Sequence, residues 1–180
     1  AMNLSVSGND NMFLKEGKPL IEEALKLDPT YSDALALLAL TTLVDYSSGE
    51  NQSAYDSDIY VNNLKSGKDL AYKALEYDPT HPLGLSMSIA IPMLLFQEES
   101  RWFGGTPTAT QIAKSAYTMR NVAQSVKIIA EAYPESPYTK TIVGVYHWFK
   151  RYTIGSEDDI KIAEKLFMGA WDQIKNKKIT

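Results

Sequence analysis

One stretch of this chain is written twice. Residues 14–30 read LKEGKPLIEEALKLDPT and residues 64–80 read LKSGKDLAYKALEYDPT, with 10 of 17 positions identical at a constant offset of 50. A fainter third copy closes on Ile129-Ala130-Glu131-Ala132-Tyr133-Pro134, 55 residues beyond Pro79. Repetition at a fixed period is the signature of an architecture assembled from one supersecondary unit, and it constrains the fold more than any single motif does. Within the copies, apolar and small residues recur at three- and four-residue steps, the period of one helix face. Leu14, Gly17, Ile21, Ala24 and Leu25 carry it in the first, and Leu64, Gly67, Ala71, Ala74 and Leu75 in the second. Each helix stops at Asp-Pro, because proline disfavours the α conformation in the residue before it.

A second helix follows each stop. Pro82 and Pro137 fall where a first helical residue would be, the position that tolerates proline. Ser136 is placed to cap the helix that Pro137 opens, and His81, directly before Pro82, reads as a turn or N-cap residue. The spacing predicts seven helices, over 11–27, 31–46, 58–77, 81–97, 107–132, 136–152 and 157–176. Ser156 before Glu157-Asp158-Asp159 adds a capping-box start with acids in the first turn. No segment alternates as a strand would. Pro92, inside the apolar run from Leu85 to Phe96, is expected to kink its helix beside Met93.

These residues resemble the tetratricopeptide repeat, a family of 34-residue helix–turn–helix units with small residues at the helix contact and a proline closing each unit. Ala24-Leu25-Lys26-Leu27-Asp28-Pro29 and Ala74-Leu75-Glu76-Tyr77-Asp78-Pro79 look like its second-helix ending. Gly17 and Gly67 stand at its small residue, and Leu35, Leu38 and Ala39 match its first-helix pattern, with Gly144 at the small position of the third copy. The spacing of about 50 departs from 34, Ile89 stands where a small residue is usual, and the match fades over 107–176. The resemblance implies an all-α fold of helix pairs stacked as a right-handed superhelix, one domain over residues 1–180. Residues 1–10 are set aside as disordered or left from an expression vector, since Ala1-Met2 has the look of a scar and the chain reads as cut from a longer protein.

In that family the first helix of each pair lines a concave groove. Carried over, the pattern gives Asp33, Ala36, Leu40 and Leu43, then Ser86, Ala90 and Met93, then Tyr138, Thr141, Val145 and Trp148. The set is mostly apolar and lacks the lysine and asparagine of a carboxylate clamp. An apolar groove needs a cover: the Trp102-Phe103 loop, a second copy of the chain, or an apolar ligand. These side chains otherwise read as core. His147 and Arg151, in the run Tyr146-His147-Trp148-Phe149-Lys150-Arg151-Tyr152, add a cationic margin to an aromatic patch able to grip a ligand; the alternative is a packed aromatic helix with a polar edge.

Composition excludes several chemistries. There is no cysteine, so disulfides, thiolate catalysis and zinc–thiolate sites are out. The net charge of −4 lacks the footprint of a nucleic-acid binder. No run approaches the ~20 apolar residues of a membrane span. Only two histidines occur, neither with a second ligand four residues on, so no HExxH-type zinc site is present. Neighbouring acids such as Glu22-Glu23 do not face each other on a helix and make poor acid/base dyads. Asp56-Ser57-Asp58 lacks the glycine and later glutamate of a calcium loop. No phosphate loop, nucleophile elbow or dinucleotide fingerprint appears. The expectation is a non-enzymatic scaffold without cofactor that binds a protein or peptide partner. Two alternatives stand beside it. One is a binder of an apolar small molecule or lipid, as in the bacterial exported helical lipoproteins such repeats look similar to. The other is a sensor or oligomerisation module of a larger bacterial regulator, with self-association open. A cytoplasmic setting fits the missing cysteines, and an exported one stays open if a signal segment lies outside the sequence.

Overall fold

The computed structural model describes residues 13–47, 57–101, 108–151 and 157–177. All regular structure among them is helical. A π-helical turn, Phe13–Gly17, leads into α1 (Lys18–Leu27). There follow α2 (Ser32–Ser47), α3 (Ser57–Tyr77), α4 (Pro82–Arg101), α5 (Ala109–Ala132), α6 (Pro137–Arg151) and α7 (Glu157–Lys177). The seven helices fall where the repeat grammar places them. Residues 1–10, the Trp102-Phe103 loop and Ser156 lie outside the described residues.

The turns show why the sequence repeats. Asp28 N donates to Ala24 O, Tyr31 N to Asp28 O, and Leu35 N to Tyr31 O. The same three bonds recur fifty residues on, through Ala74, Asp78, His81 and Leu85, and again through Ile129, Tyr133, Ser136 and Lys140. In the first two copies the aspartate oxygen also accepts from the backbone N–H and hydroxyl of the threonine two residues later, at 2.9 and 2.6 Å for Asp28 and 3.1 Å twice for Asp78. This is a side-chain turn that stands in for a backbone one. The Thr30 bonds hold the Asp28 carboxyl below its ordinary value of 3.8. A lowered value favours the folded turn above that pH, and the contribution fades as pH falls through the folded-state value.

The two copies part at one place. Residues 13–17 form a π turn, whereas 63–67 are α-helical. Pro19 stands where the second copy has Asp69. Its ring crowds the Lys15 carbonyl and it has no N–H to give it, so the turn before it widens.

The chain divides into two compact units, residues 1–91 and 92–180, the boundary falling inside α4 at Pro92. The helix runs on through that proline, and Met93 beside it is buried. In the first unit α2 packs on both α1 and α3. Leu35, Ala36 and Ala74 form a buried cluster that Leu25, Leu70 and Leu83 extend, so α1, α2, α3 and the start of α4 share one core. Gly67 lets α3 in closely: a Cβ there would overlap the Thr42 hydroxyl of α2 and lie 3.1 Å from Ile91 Cδ1 of α4. In the second unit α6 packs on α5 and on α7. There the glycine sits on the other partner: a Cβ at Gly144 of α6 would lie 2.7 Å from Phe167 Cε1 of α7.

Candidate functional site

Three sides of α6 have three different fates. Thr139, Val143 and Tyr146 are buried in the core of the second unit, with the phenol of Tyr146 pushed above 10.0, chiefly by burial. Phe149 meets Phe96 edge-on at 5.6 Å. A second side faces α7. Gly144 touches Phe167, and His147, Lys150 and Arg151 engage the acids that open α7. The third side carries Tyr138, Thr141, Val145 and Trp148 at steps of three, four and three, which stack along one face. Tyr138 is 46% exposed and Trp148 49%; Thr141 is exposed and Val145 half-buried. The Thr141 hydroxyl donates back to Pro137 O at 2.9 Å.

The cations expected beside this stripe are held elsewhere. His147 Nδ1 lies 2.7 Å from Asp159 Oδ1, and Lys150 Nζ lies 3.1 Å from the same oxygen. Arg151 bonds Glu157. Asp159 is buried, so this is a charged staple between the end of α6 and the start of α7. Burying a carboxylate is tolerable only with such partners. The aromatic and cationic halves of the predicted patch thus lie on different sides of α6.

The corresponding stripes of the earlier helices are less open. On α2, Ala36 is fully buried, Leu40 and Leu43 are half-buried, and Asp33 is exposed. On α4, Ser86 and Met93 are buried and Ala90 is half-buried, with the Ser86 hydroxyl donating to Pro82 O at 2.7 Å. Asp33 binds His81, whose Nε2 lies 2.8 Å from Asp33 Oδ1. His81 Nδ1 accepts from Gly84 N at 3.0 Å, capping α4 as its position before Pro82 predicts. Because Nδ1 accepts, the ring proton sits on Nε2 and is donated to Asp33. Ser136, at the matching place before α6, comes only to 3.5 Å of Thr139 N.

Sequence reasoning missed three things. Asp159 was read only as a first-turn acid, Lys150 only as part of the aromatic run Tyr146–Tyr152, and the exposed Met168 and Trp171 of α7 not at all. The partners of Asp159, Lys150 and His147, lie nine and twelve residues before it, and no local pattern marks them. Among the described residues no three His, Asp or Glu side chains converge as a metal site requires, and no helix is long and apolar enough to cross a membrane. No family model, curated protein or solved structure matches this chain.

Proposed function

We propose that the chain is a helical-repeat scaffold of the tetratricopeptide kind that binds a partner protein without performing chemistry on it, and that the outer face of α6 is where the partner docks. The single observation that carries this reading is the stripe Tyr138–Thr141–Val145–Trp148, two half-exposed aromatics at the ends of one helix face with Thr141 and Val145 between them. Aromatic anchors of this kind dominate binding energy because they bury much area for little rotamer entropy. Steps of three and four residues match an amphipathic partner helix laid alongside, its own apolar residues at the same spacing. Four side chains give a small contact, so affinity falls in the micromolar range, about −8 kcal/mol or weaker.

Panning a displayed peptide library on the immobilised chain tests this. Apolar amphipathic peptides are expected to enrich, and Trp148→Ser to weaken the selected peptide about tenfold or more, the cost of removing one anchor. Tyr138→Ser should follow in the same direction. Both residues are surface-exposed, so the fold survives either change. Absence of enrichment would overturn the proposal, as would binding indifferent to both substitutions. So would tight retention of an apolar small molecule, seen by native mass spectrometry and equally indifferent to them.

A further inference from the structure

The α2/α3 hairpin holds a third helix on the side where the α6/α7 hairpin meets water. The turns before α2 and α6 make the same three backbone bonds at an offset of 105 residues. That offset carries Asp33, Ala36, Leu40 and Leu43 onto Tyr138, Thr141, Val145 and Trp148. On α2 this line is met by the first turns of α4. Asp33 binds His81 at 2.8 Å, and Leu83 packs against the cluster of Leu35, Ala36 and Ala74. A Cβ at Gly84 would lie 3.1 Å from Leu75 Cδ2 of α3, and Ile91 Cδ1 lies 3.1 Å from where a Cβ of Gly67 would stand. The start of α4 thus lies over both helices of the hairpin. It begins where α2 begins and runs parallel to it.

On the later hairpin, α7 supplies the second half of the matching face. Along α6 the stripe lies about a third of a turn on from Gly144 and His147, which meet α7. Along α7, Met168 and Trp171 lie about a third of a turn on from the line of Asp159 and Phe167, which meet α6. The two helices run antiparallel, with Arg151 bonded to Glu157 at one end and the Lys140 stem beside Gly169 towards the other. Equal rotations in one sense on antiparallel neighbours point to the same side. Tyr138, Val145 and Trp148 therefore share one side of the hairpin with Met168 and Trp171, and Ile174 stands by the groove between them. Met168 and Trp171 are each 63% exposed and Ile174 45%. The charges around this apolar centre cancel, Glu164 and Asp172 against Lys161 and Lys175, all exposed. Such a rim matches a segment without net charge and favours neither an acidic nor a basic one.

We infer that the partner helix lies in the groove between α6 and α7 and runs parallel to α6, as the start of α4 lies on α2 and α3. This rests on the reading of α6 as the docking helix and adds α7 to it. The occupant is an amphipathic helix of low net charge. It begins near Tyr138 and Trp171 and ends towards Trp148. It meets the groove with small or apolar residues two turns apart, the separation of Gly84 and Ile91 on α4.

A peptide selected by panning on the whole chain tests this in two ways. First, Trp171→Ser should weaken its binding about tenfold and Met168→Ser about threefold or more. Leu27→Ser, an equally exposed apolar residue on α1, should leave binding unchanged. Raising salt from about 0.05 to about 0.5 M should change the affinity less than about twofold, since the groove offers no net charge to screen. Second, the chain has no cysteine, so a single introduced thiol reports direction. A peptide with an N-terminal cysteine should form a disulfide with Lys175→Cys several-fold faster than with Glu164→Cys, and a C-terminal cysteine should reverse the preference. Loss of binding in Trp148→Ser with Trp171→Ser and Met168→Ser unchanged would overturn the inference and leave α6 alone as the docking helix. Indifference to all three would overturn both readings. Cross-linking with the opposite end preference would overturn the parallel placement and with it the likeness to α4.

Discussion

The hairpins α2/α3 and α6/α7 solve the same problems with opposite assignments. Each closes over one glycine, but Gly67 sits on the second helix of its pair and Gly144 on the first. Each helix pair also neighbours a histidine–aspartate bond, but the burial is reversed. His81 is buried and its partner Asp33 lies open at 59%; Asp159 is buried and its partner His147 is the more exposed of the two, at 20%. The face that α2 offers at Ala36 is small and closed, and the face that α6 offers at Tyr138 and Trp148 is large and open. Position in the repeat therefore fixes which way a side chain points, while side-chain size and the neighbouring helices fix whether it meets water. The difference identifies α6, not α2, as the helix with surface to spare.

The largest effect should fall on the buried carboxylate. Asp159→Ala strips both His147 and Lys150 of a common partner and removes a negative charge from the first turn of α7. Lys150 is 31% exposed and His147 20%, so both can turn towards water, and the cost is about 2–3 kcal/mol rather than the 3–5 of a fully buried pair. His81→Ala removes a cap and one inter-helix bond, about 1.5 kcal/mol. Asp33→Ala keeps the cap but leaves the buried Nε2–H of His81 without its acceptor, about 1 kcal/mol. Urea unfolding of the three variants checks the order. If Asp33→Ala proves the costliest, burial does not set the asymmetry.

Next come the glycines. Alanine gains about 1 kcal/mol of helix propensity at either site, against an overpacking cost of about 1–3 kcal/mol. At Gly144 the obstacle is the rigid ring of Phe167, met at three atoms within 3.2 Å, so the loss dominates and Gly144→Ala should destabilise by about 2 kcal/mol. At Gly67 the nearest atom is the Thr42 hydroxyl, which can rotate away from its bond to Ala39 O for about 1 kcal/mol, leaving a net change near zero to about 1. Phe167→Leu should recover at least half the loss in Gly144→Ala and do nothing for Gly67→Ala. Equal costs at the two sites would mean that the ring yields as easily as the hydroxyl.

Much of this was legible in the sequence. Asp-Pro stops, prolines at helix starts and the offset of 50 place all seven helices, and His81 before Pro82 announces its cap. Local chemistry writes these features, so a local reading finds them. The π turn before Pro19 was not foreseen, because the repeat pattern at Leu14 and Gly17 matches the α-helical second copy and one proline overrides it. The bond from His81 to Asp33 spans 48 residues, and the pairing depends on how α2 and α4 lie together. The α6 stripe was legible as a face, by its steps of three and four. Its exposure was not, nor the closure of Ala36 and Ser86, because accessibility depends on neighbours that periodicity does not name.

Covalent footprinting of the chain, free and saturated with a selected peptide, tests most directly that α6 and not α2 receives the partner. The account predicts that labelling of Tyr138 and Trp148 falls several-fold on binding while Leu40 and Leu43 keep their free-state labelling. Protection of Leu40 and Leu43 with Tyr138 and Trp148 unchanged would contradict it.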